Sequence, residues 1–287
     1  MSSRVLLQHQ TKYEYDSLVF LSPQLIRLKP AIHCRIPIEA YSFIVSPSNH
    51  QIHWHQDPFG NFLARVDFTG PVQELVIDVK LIATLTKINP FDFFVDEYVQ
   101  FFPFEYEPQL KKDLTPYLEV VDKGPMMMQW LEKADLSRKT IIDFLVSINQ
   151  LVNQNISYTS RLEPGVQTSE ESLEKALGSC RDSAWLLIQI FRNLGLAARF
   201  VSGYLVQLSS DSTGIAVEED LVALHAWAEV YIPGAGWIGL DPTGGLLAAE
   251  GHIPLACTPN PAGAAPITGS SGVSKTNFSY STGISRF

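Results

Sequence analysis

The chain has 287 residues, of which 46% are hydrophobic and 18% charged, a composition that excludes a disordered chain and a peptide-sized scaffold. At about 150 residues per domain, this length predicts two domains. Asp and Glu outnumber Lys and Arg by 30 to 21, so the formal net charge is −9 and a nucleic-acid partner is not expected.

The sequence lacks a run of about 18 consecutive apolar residues, and its first residues, MSSRVLLQHQTKYEYD, lack the apolar stretch of a signal peptide. We therefore expect a cytoplasmic protein with no membrane partner. The three cysteines, Cys34, Cys180 and Cys257, form no CxxC pair, which argues against a disulfide framework and a thiolate metal site. No cofactor and no metal are expected.

Residues 1–88 predict an N-terminal antiparallel β-sandwich. Short β-rich runs such as EAYSFIVS and NFLARVDFT alternate there with turn residues, which is typical of packed antiparallel sheets. The run DPFGN at residues 57–61 predicts a hairpin tip. His50, His53 and His55 precede it and could chelate a metal, but we favour an exposed edge strand.

The composition changes at residues 89–108, which are rich in aromatic residues and hold three prolines. This segment predicts an irregular connector between two domains. Residues 109–258 predict the second domain, an α+β core. Residues 259–287 begin with a stretch rich in Pro, Gly, Ala and Ser, so we expect a C-terminal extension, mobile or laid out as a cover, rather than a third domain.

Two helical patterns occur in the core. Residues 137–155 carry apolar side chains at the spacing of one helix face, with Ser137 as a candidate N-cap. A second pattern runs from Cys180 to Leu194, and Gly195 follows as a stop signal. Three short runs then predict strands: ARFVSGYLVQL, LHAWAEVYI and WIGL.

Cys180 is the first candidate for chemistry. It is expected at the start of the second helix, where unpaired backbone N–H groups and the positive end of the helix dipole favour a thiolate over a thiol. A lone cysteine is, however, often only a small buried hydrophobe. A nucleophilic thiolate needs a base within hydrogen-bond reach and a third group that orients the base, so other residues must decide between these interpretations.

His225 and Asp241 can be those residues. If Ile232–Gly236 forms a five-residue loop, Tyr231 pairs with Trp237, and Asp241 lies on the strand face of His225, one diagonal step away. A four-residue loop instead puts Asp241 on the opposite face unless a β-bulge restores it. A triad of Cys, His and Asp therefore requires the longer loop or a bulge.

The runs GSCRDSAWLLIQIFRNLGLAARFVSGYL and HAWAEVYIPGAGWIGLDPTGG resemble, in this order, the core of the transglutaminase-like superfamily in its bacterial branch. SPQLIRLKP and the DPFGN turn resemble the β-rich region that precedes the core in that branch. The resemblance implies a papain-like arrangement. It also implies that Cys180 is the nucleophile, that His225 is the general base and acid, and that Asp241 orients the histidine.

One departure from papain-type enzymes concerns the oxyanion donor. Those enzymes place a Gln about six residues before the nucleophile, whereas this chain has Glu174 there. The backbone N–H of Cys180 remains available. Tyr158 is a candidate hydroxyl donor or, equally, a core residue that ends a helix. Trp185 and Trp227 are candidates for the walls of a substrate groove, with a plain core role as the alternative.

These features together predict a thiol enzyme that acts on a peptide or protein amide through a thioester. Hydrolysis is slightly preferred over transfer to an amine acceptor, although the sequence does not choose, because access of water and amine to the thioester decides. The alternative is a catalytically silent module that binds peptides. The presence of Cys180, His225 and Asp241 together weighs against it, since a silent module has no chemical need for all three.

Overall fold

The computed structural model, which describes residues 2–209 and 219–287, places the β-rich runs at the start of the chain in two antiparallel sheets. Alternate side chains of the long strands are buried, Val5 and Leu7 on one and Ile77 and Val79 on another, which is the pattern of a sheet with one face in the core. The strands are β1 (Ser3–Val19), β2 (Gln24–Ile26), β3 (Ile38–Ser46), β4 (His50–Gln56), β5 (Phe62–Phe68) and β6 (Val72–Leu85).

The DPFGN run forms the tip of the hairpin that joins β4 to β5, as expected. Asp57 accepts the backbone N–H groups of Phe59 at 2.8 Å and Asn61 at 2.9 Å, and the intervening Gly60 has a φ of +82°. Strand β4 lies at the edge of its sheet with His53 and His55 exposed. The histidine-rich run is therefore an exposed edge strand, the interpretation favoured above.

The segment between the sandwich and the core sheet is irregular at first and then helical. Residues 89–108 contain a short 3₁₀ turn at Glu97–Val99, and Val99 and Phe102 are buried against the core helices. The elements that follow are β7 (Phe101–Phe102), α1 (Pro108–Asp113), α2 (Thr115–Leu118), α3 (Pro125–Lys133), β8 (Lys139–Thr140), α4 (Ile141–Asn155), β9 (Ser157–Tyr158), α5 (Ser169–Lys175), β10 (Leu177–Gly178) and α6 (Cys180–Asn193).

Helix α4 begins at Ile141, so the start predicted at Ser137 is wrong. The backbone before the helix is extended and hydrogen-bonded to another strand, because β8 pairs with β7 and the N–H of Ile141 donates to the carbonyl of Gln100 at 2.9 Å. Thr140 is the N-cap, and its hydroxyl accepts the backbone N–H of Asp143 at 3.2 Å. The β7–β8 pairing thus delays the start of the helix beyond Ser137, while the apolar positions of the predicted helix face all lie within α4.

Helix α6 packs on the antiparallel core sheet. Its apolar face, including Leu187 and Phe191, forms one buried cluster with Ala226, Ala228 and Val230 of the sheet. The strand order in this sheet is β14, β13, β12, β11, β15. The strands are β11 (Ala198–Gln207), β12 (Leu221–Ile232), β13 (Gly236–Asp241), β14 (Leu246–Leu247) and β15 (His252–Thr258).

The C-terminal segment, expected as an extension, contributes strands β16 (Ile267–Thr268) and β17 (Thr276–Arg286) to the sandwich. Strand β16 pairs with β2, and β17 pairs with eleven consecutive residues of β1. The completed sheets have the orders β17, β1, β6, β3 and β16, β2, β5, β4. Because β17 covers the backbone of β1, the long first strand does not present an unpaired edge. No helix in the described ranges is long and apolar enough to cross a membrane.

Replacement of Gly203 by Ala is expected to destabilise the fold. Gly203 on β11 pairs with His225 of β12, and an added Cβ would overlap the carbonyl oxygen of Ile253 and the ring of Trp227. We expect Gly203→Ala to lower the free energy of unfolding by about 1–3 kcal/mol, as measured by urea unfolding. Gly70→Ala is the matched control because the nearest atom to its added Cβ is 3.8 Å away. Equal unfolding free energies for the two variants would contradict the prediction.

Candidate active site

Cys180 is the first residue of α6, and a buried carboxylate holds the loop in front of it. Asp182, fully buried, accepts the backbone N–H groups of Ser179 at 2.9 Å and Gln167 at 2.7 Å and the Nε of Arg161 at 3.0 Å. Burial alone would raise the pKa of Asp182, but these hydrogen bonds outweigh it and hold the pKa well below its ordinary value. The charged side chain thereby fixes where the helix begins and where the sulfur lies.

His225 and Asp241 form a buried pair, with 2.8 Å between His225 Nε2 and Asp241 Oδ2. Burial alone would lower the pKa of His225, but its hydrogen bond with Asp241 and its charge interactions with Asp241 and Cys180 outweigh it and raise the pKa above its ordinary value. Burial alone would raise the pKa of Asp241, but the hydrogen bonds from His225 and His252 outweigh it and hold the pKa well below its ordinary value. Since Nε2 of His225 faces Asp241, Nδ1 is the ring atom left to face Cys180.

The contact between His225 and Asp241 follows from the register of β12 on β13. Tyr231 pairs with Trp237 in this register, the pairing that the sequence analysis linked to a triad. Ile232 and Gly236 are themselves paired, so the turn between the strands is residues 233–235, shorter than the five-residue loop expected. The register, rather than the length of the loop, places Asp241 on the face of His225.

His252, which the sequence analysis missed, is also in contact with Asp241. Its Nε2 lies 3.2 Å from Oδ2 of Asp241, and its ring packs edge-on to Trp227 with centroids 5.0 Å apart. His252 belongs to β15, which is not a neighbour of β13 in the sheet. No motif or spacing in the sequence signals this contact, because strand pairing does not create it.

Tyr158 lies beside the start of α6. Strand β9 pairs in parallel with β10, and this pairing sets Tyr158 next to Gly178, two residues before Cys180. Burial raises the pKa of Tyr158, and the charge of Cys180 adds to the effect. The side chain is nevertheless 62% exposed. Tyr158 is therefore not the core residue that was one of its two interpretations.

The two candidate groove tryptophans are both buried. Trp185 is 6% exposed within the cluster around α6, and Trp227 is 1% exposed and packs against Val201 and Cys257. The position of Trp185 corresponds to the plain core role that was the alternative, whereas Trp227 also lines a cavity of about 440 Å³. Trp227 also stacks near the catalytic candidate His225, with 6.4 Å between ring centroids, so it supports the imidazole from within the core.

Two groups within the described ranges bring three potential metal-ligand atoms within 4.8 Å of one another. The first group is His225, Asp241 and His252, in which both imidazoles already contact an oxygen of Asp241. The second group is His33, Glu229 and Cys257, in which the guanidinium of Arg199 lies 2.6 Å from the Glu229 carboxylate and already supplies the cation. Both arrangements argue against metal ligation.

This fold and site define a class of α+β proteins in which a cysteine begins a helix that packs on an antiparallel sheet carrying histidine and aspartate. Residues 129–242 match the model of the transglutaminase-like superfamily, and residues 5–84 match that of the bacterial transglutaminase-like N-terminal region. The chain therefore carries a transglutaminase-like core preceded by the N-terminal region of the bacterial transglutaminase-like proteins. The family and the order of its two regions confirm the resemblance.

Relatives that match over most of their length occur in mycobacteria. The uncharacterized protein Rv2569c of Mycobacterium tuberculosis is 25% identical over 260 residues, which are 87% of this chain and 82% of the relative. The uncharacterized protein ML0607 of Mycobacterium leprae is 22% identical over 268 residues, 93% and 92% of the two chains. A crystal structure of a candidate cysteine protease from Cytophaga hutchinsonii has a TM-score of 0.69 at 17% identity and covers 100% of this chain and 91% of that one. The whole architecture thus recurs there.

Replacement of Asp182 by Asn tests the buried carboxylate before Cys180. We expect Asp182→Asn to lower the free energy of unfolding at pH 7 by about 2–4 kcal/mol, because the charge that Arg161 and two backbone N–H groups bind is lost. The folded-state pKa of Asp182 lies below its ordinary value of 3.8. Its contribution is therefore present above about pH 4 and is lost as the pH falls through the folded-state pKa.

The difference between wild type and Asp182→Asn should accordingly narrow between pH 7 and pH 3, as measured by urea unfolding at both values. Asp92→Asn is the control because Asp92 is exposed, and its effect should stay close to zero throughout. A difference between wild type and Asp182→Asn that stays constant with pH would show that the charge of Asp182 does not stabilise the fold.

Proposed function

We propose that the protein is a thiol enzyme that cleaves a peptide or protein amide through a thioester on Cys180, with His225 and Asp241 as its catalytic partners. The observation that carries this proposal is the placement of Cys180 at the first residue of α6, beside the buried imidazole of His225. A helix N-terminus and a neighbouring imidazolium are two environments that favour a thiolate. The match of residues 129–242 to the transglutaminase-like superfamily supports the same chemistry.

In the first half of the proposed reaction, the Cys180 thiolate attacks the carbonyl carbon of the amide and forms a carbon–sulfur bond. The backbone N–H of Cys180 donates to the oxyanion, and the Tyr158 hydroxyl is the candidate second donor. The imidazolium of His225 then gives its proton to the amine as the carbon–nitrogen bond breaks. The products of this half are a thioester, a free amine and a neutral imidazole.

In the second half, an acceptor attacks the thioester and His225 takes a proton from it. The carbon–sulfur bond breaks and restores the thiolate and the imidazolium. Water as acceptor releases an acid, and an amine as acceptor gives a new amide. We prefer hydrolysis because Cys180 is partly exposed and its neighbour Tyr158 is largely exposed, which leaves this side of the site open to water.

Asp241 has the role of orienting and charging His225 in this proposal. Its carboxylate holds Nε2 of the imidazole, which leaves Nδ1 as the ring nitrogen available to Cys180. Because the pKa of Asp241 is lowered and that of His225 is raised, the pair keeps its opposite charges across the neutral pH range. The imidazolium is thus ready to stabilise the thiolate and to protonate the leaving amine.

Selective alkylation tests the activated thiol. At pH 6 we expect iodoacetamide to label Cys180 at least about tenfold faster than Cys34 or Cys257, since burial raises the pKa of both other thiols. Peptide mass spectrometry over time gives the three rates. His225→Ala should abolish the preference, whereas the matched control His55→Ala, on the exposed edge strand, should keep it. Equal slow labelling of all three cysteines would favour the silent peptide-binding module.

A search for covalent adducts tests the reaction itself. On incubation with a peptide pool, with and without an amine-bearing probe, intact-mass spectrometry should detect an acyl adduct on Cys180 that hydroxylamine removes. Peptide fragments with new carboxyl ends would indicate hydrolysis, and probe-labelled peptides would indicate transfer. Cys180→Ala should give neither adduct nor product, whereas Cys34→Ala should behave like the wild type. Turnover by Cys180→Ala would contradict the proposed mechanism.

A further inference from the structure

Asp241 is held by three hydrogen-bond donors, and only one of them belongs to the proposed triad. His225 Nε2 and His252 Nε2 approach the same oxygen, Oδ2, at 2.8 Å and 3.2 Å. The other oxygen, Oδ1, accepts the backbone N–H of Thr243 at 2.9 Å. The side chain of His252 is thus the second side-chain contact of the carboxylate that orients His225.

The protonation of His252 follows from its other ring nitrogen. Nδ1 accepts the backbone N–H of Ala249 at 3.2 Å, so it carries no proton, and the ring proton is assigned to Nε2. His252 is therefore a neutral donor to Asp241. Its ring plane is set by the edge-on contact with Trp227, at an interplanar angle of 82°.

We propose that His252 is a positioning residue, which holds Asp241 in the orientation that keeps His225 directed at Cys180. With Thr243 at one oxygen and His252 at the other, rotation of the carboxylate away from His225 breaks two hydrogen bonds. The same donors keep the carboxylate charged in a site where burial favours the neutral form. This inference rests on the proposed function, because it assigns His252 a role in that same site.

The charged groups around the two imidazoles are few among the described residues. His225 faces Cys180 and Asp241, and its ring centroid is 6.1 Å from that of His252. His252 also faces Asp241 and borders a cavity of about 440 Å³. Two of the cavity's charges, Arg199 and Glu229, neutralise each other in a contact of 2.6 Å. The titratable and charged residues that line the cavity with His252 are His33, Arg35, Arg199 and Glu229.

Two variants of His252 separate its hydrogen bond from its packing. His252→Phe keeps a ring against Trp227 but removes the donor, and His252→Gln restores an N–H close to the position of Nε2. In the full chain, the titration midpoint of His225 is measured by NMR of labelled histidine, and the rate of Cys180 alkylation by iodoacetamide is measured at pH 6.

For His252→Phe we expect the His225 midpoint to fall by about one pH unit and the alkylation rate to fall by up to about tenfold, because the imidazolium loses its fixed partner. His252→Gln should restore both values. His33→Gln is the matched control: His33 lines the same cavity without a contact to Asp241, so this variant should match the wild type.

A His252→Phe variant with wild-type midpoint and rate would overturn the proposal. Equal losses in His252→Phe and His252→Gln would also overturn it, since they would indicate packing rather than hydrogen bonding. The proposed function fails by a different result, namely a wild-type Cys180 that reacts no faster at pH 6 than the other cysteines. In that case the His225 midpoint in the variants still decides whether His252 positions Asp241.

Discussion

The register of β12 on β13 is the constraint on which the site depends. Side chains of paired strands alternate between two faces, so a slip by one residue would carry Asp241 to the opposite face from His225. The pairing of Tyr231 with Trp237 prevents this slip and leaves Asp241 Oδ2 2.8 Å from His225 Nε2. The geometry of the His225–Asp241 pair is therefore set by the backbone hydrogen bonds of one hairpin, and helix α6, which supplies the sulfur, packs on that same sheet.

Buried carboxylates on both sides of Cys180 keep their charge by the same means. Asp182 accepts hydrogen bonds from two backbone N–H groups and from the Arg161 guanidinium. Asp241 accepts hydrogen bonds from two imidazoles and from the backbone N–H of Thr243. An isolated buried carboxylate would take up a proton instead, because desolvation disfavours the charged form. One carboxylate thus fixes the start of α6 and the other fixes the imidazole, so the candidate nucleophile and the candidate base are positioned by separate sets of hydrogen bonds.

The N-terminal sandwich and the core sheet share a buried interface. Tyr204 and Val206 of β11 and Ile253 of β15 lie in the same apolar cluster as the sandwich strands. The hydroxyl of Tyr204 is 2.8 Å from Nδ1 of the buried His9 on β1. Strand β11 is the neighbour of β12, which carries His225, and strand β15 carries His252. The sandwich therefore supports the sheet that carries the site. This gives the N-terminal region a physical role in the core.

The sequence by itself determined the superfamily, the α+β class and the start of α6 at Cys180, and it reduced the position of Asp241 to two alternative registers, between which the pairing of β12 with β13 decides. These follow from short-range information: helical and strand periods, turn residues and motifs within a few residues of one another. Tertiary structure alone decided the contact of His252 with Asp241, the pairing of β17 with β1 and the start of α4 at Ile141. Each of these joins segments that are distant along the chain, and the backbone hydrogen bonds and buried polar contacts that join them leave no periodic trace in either segment.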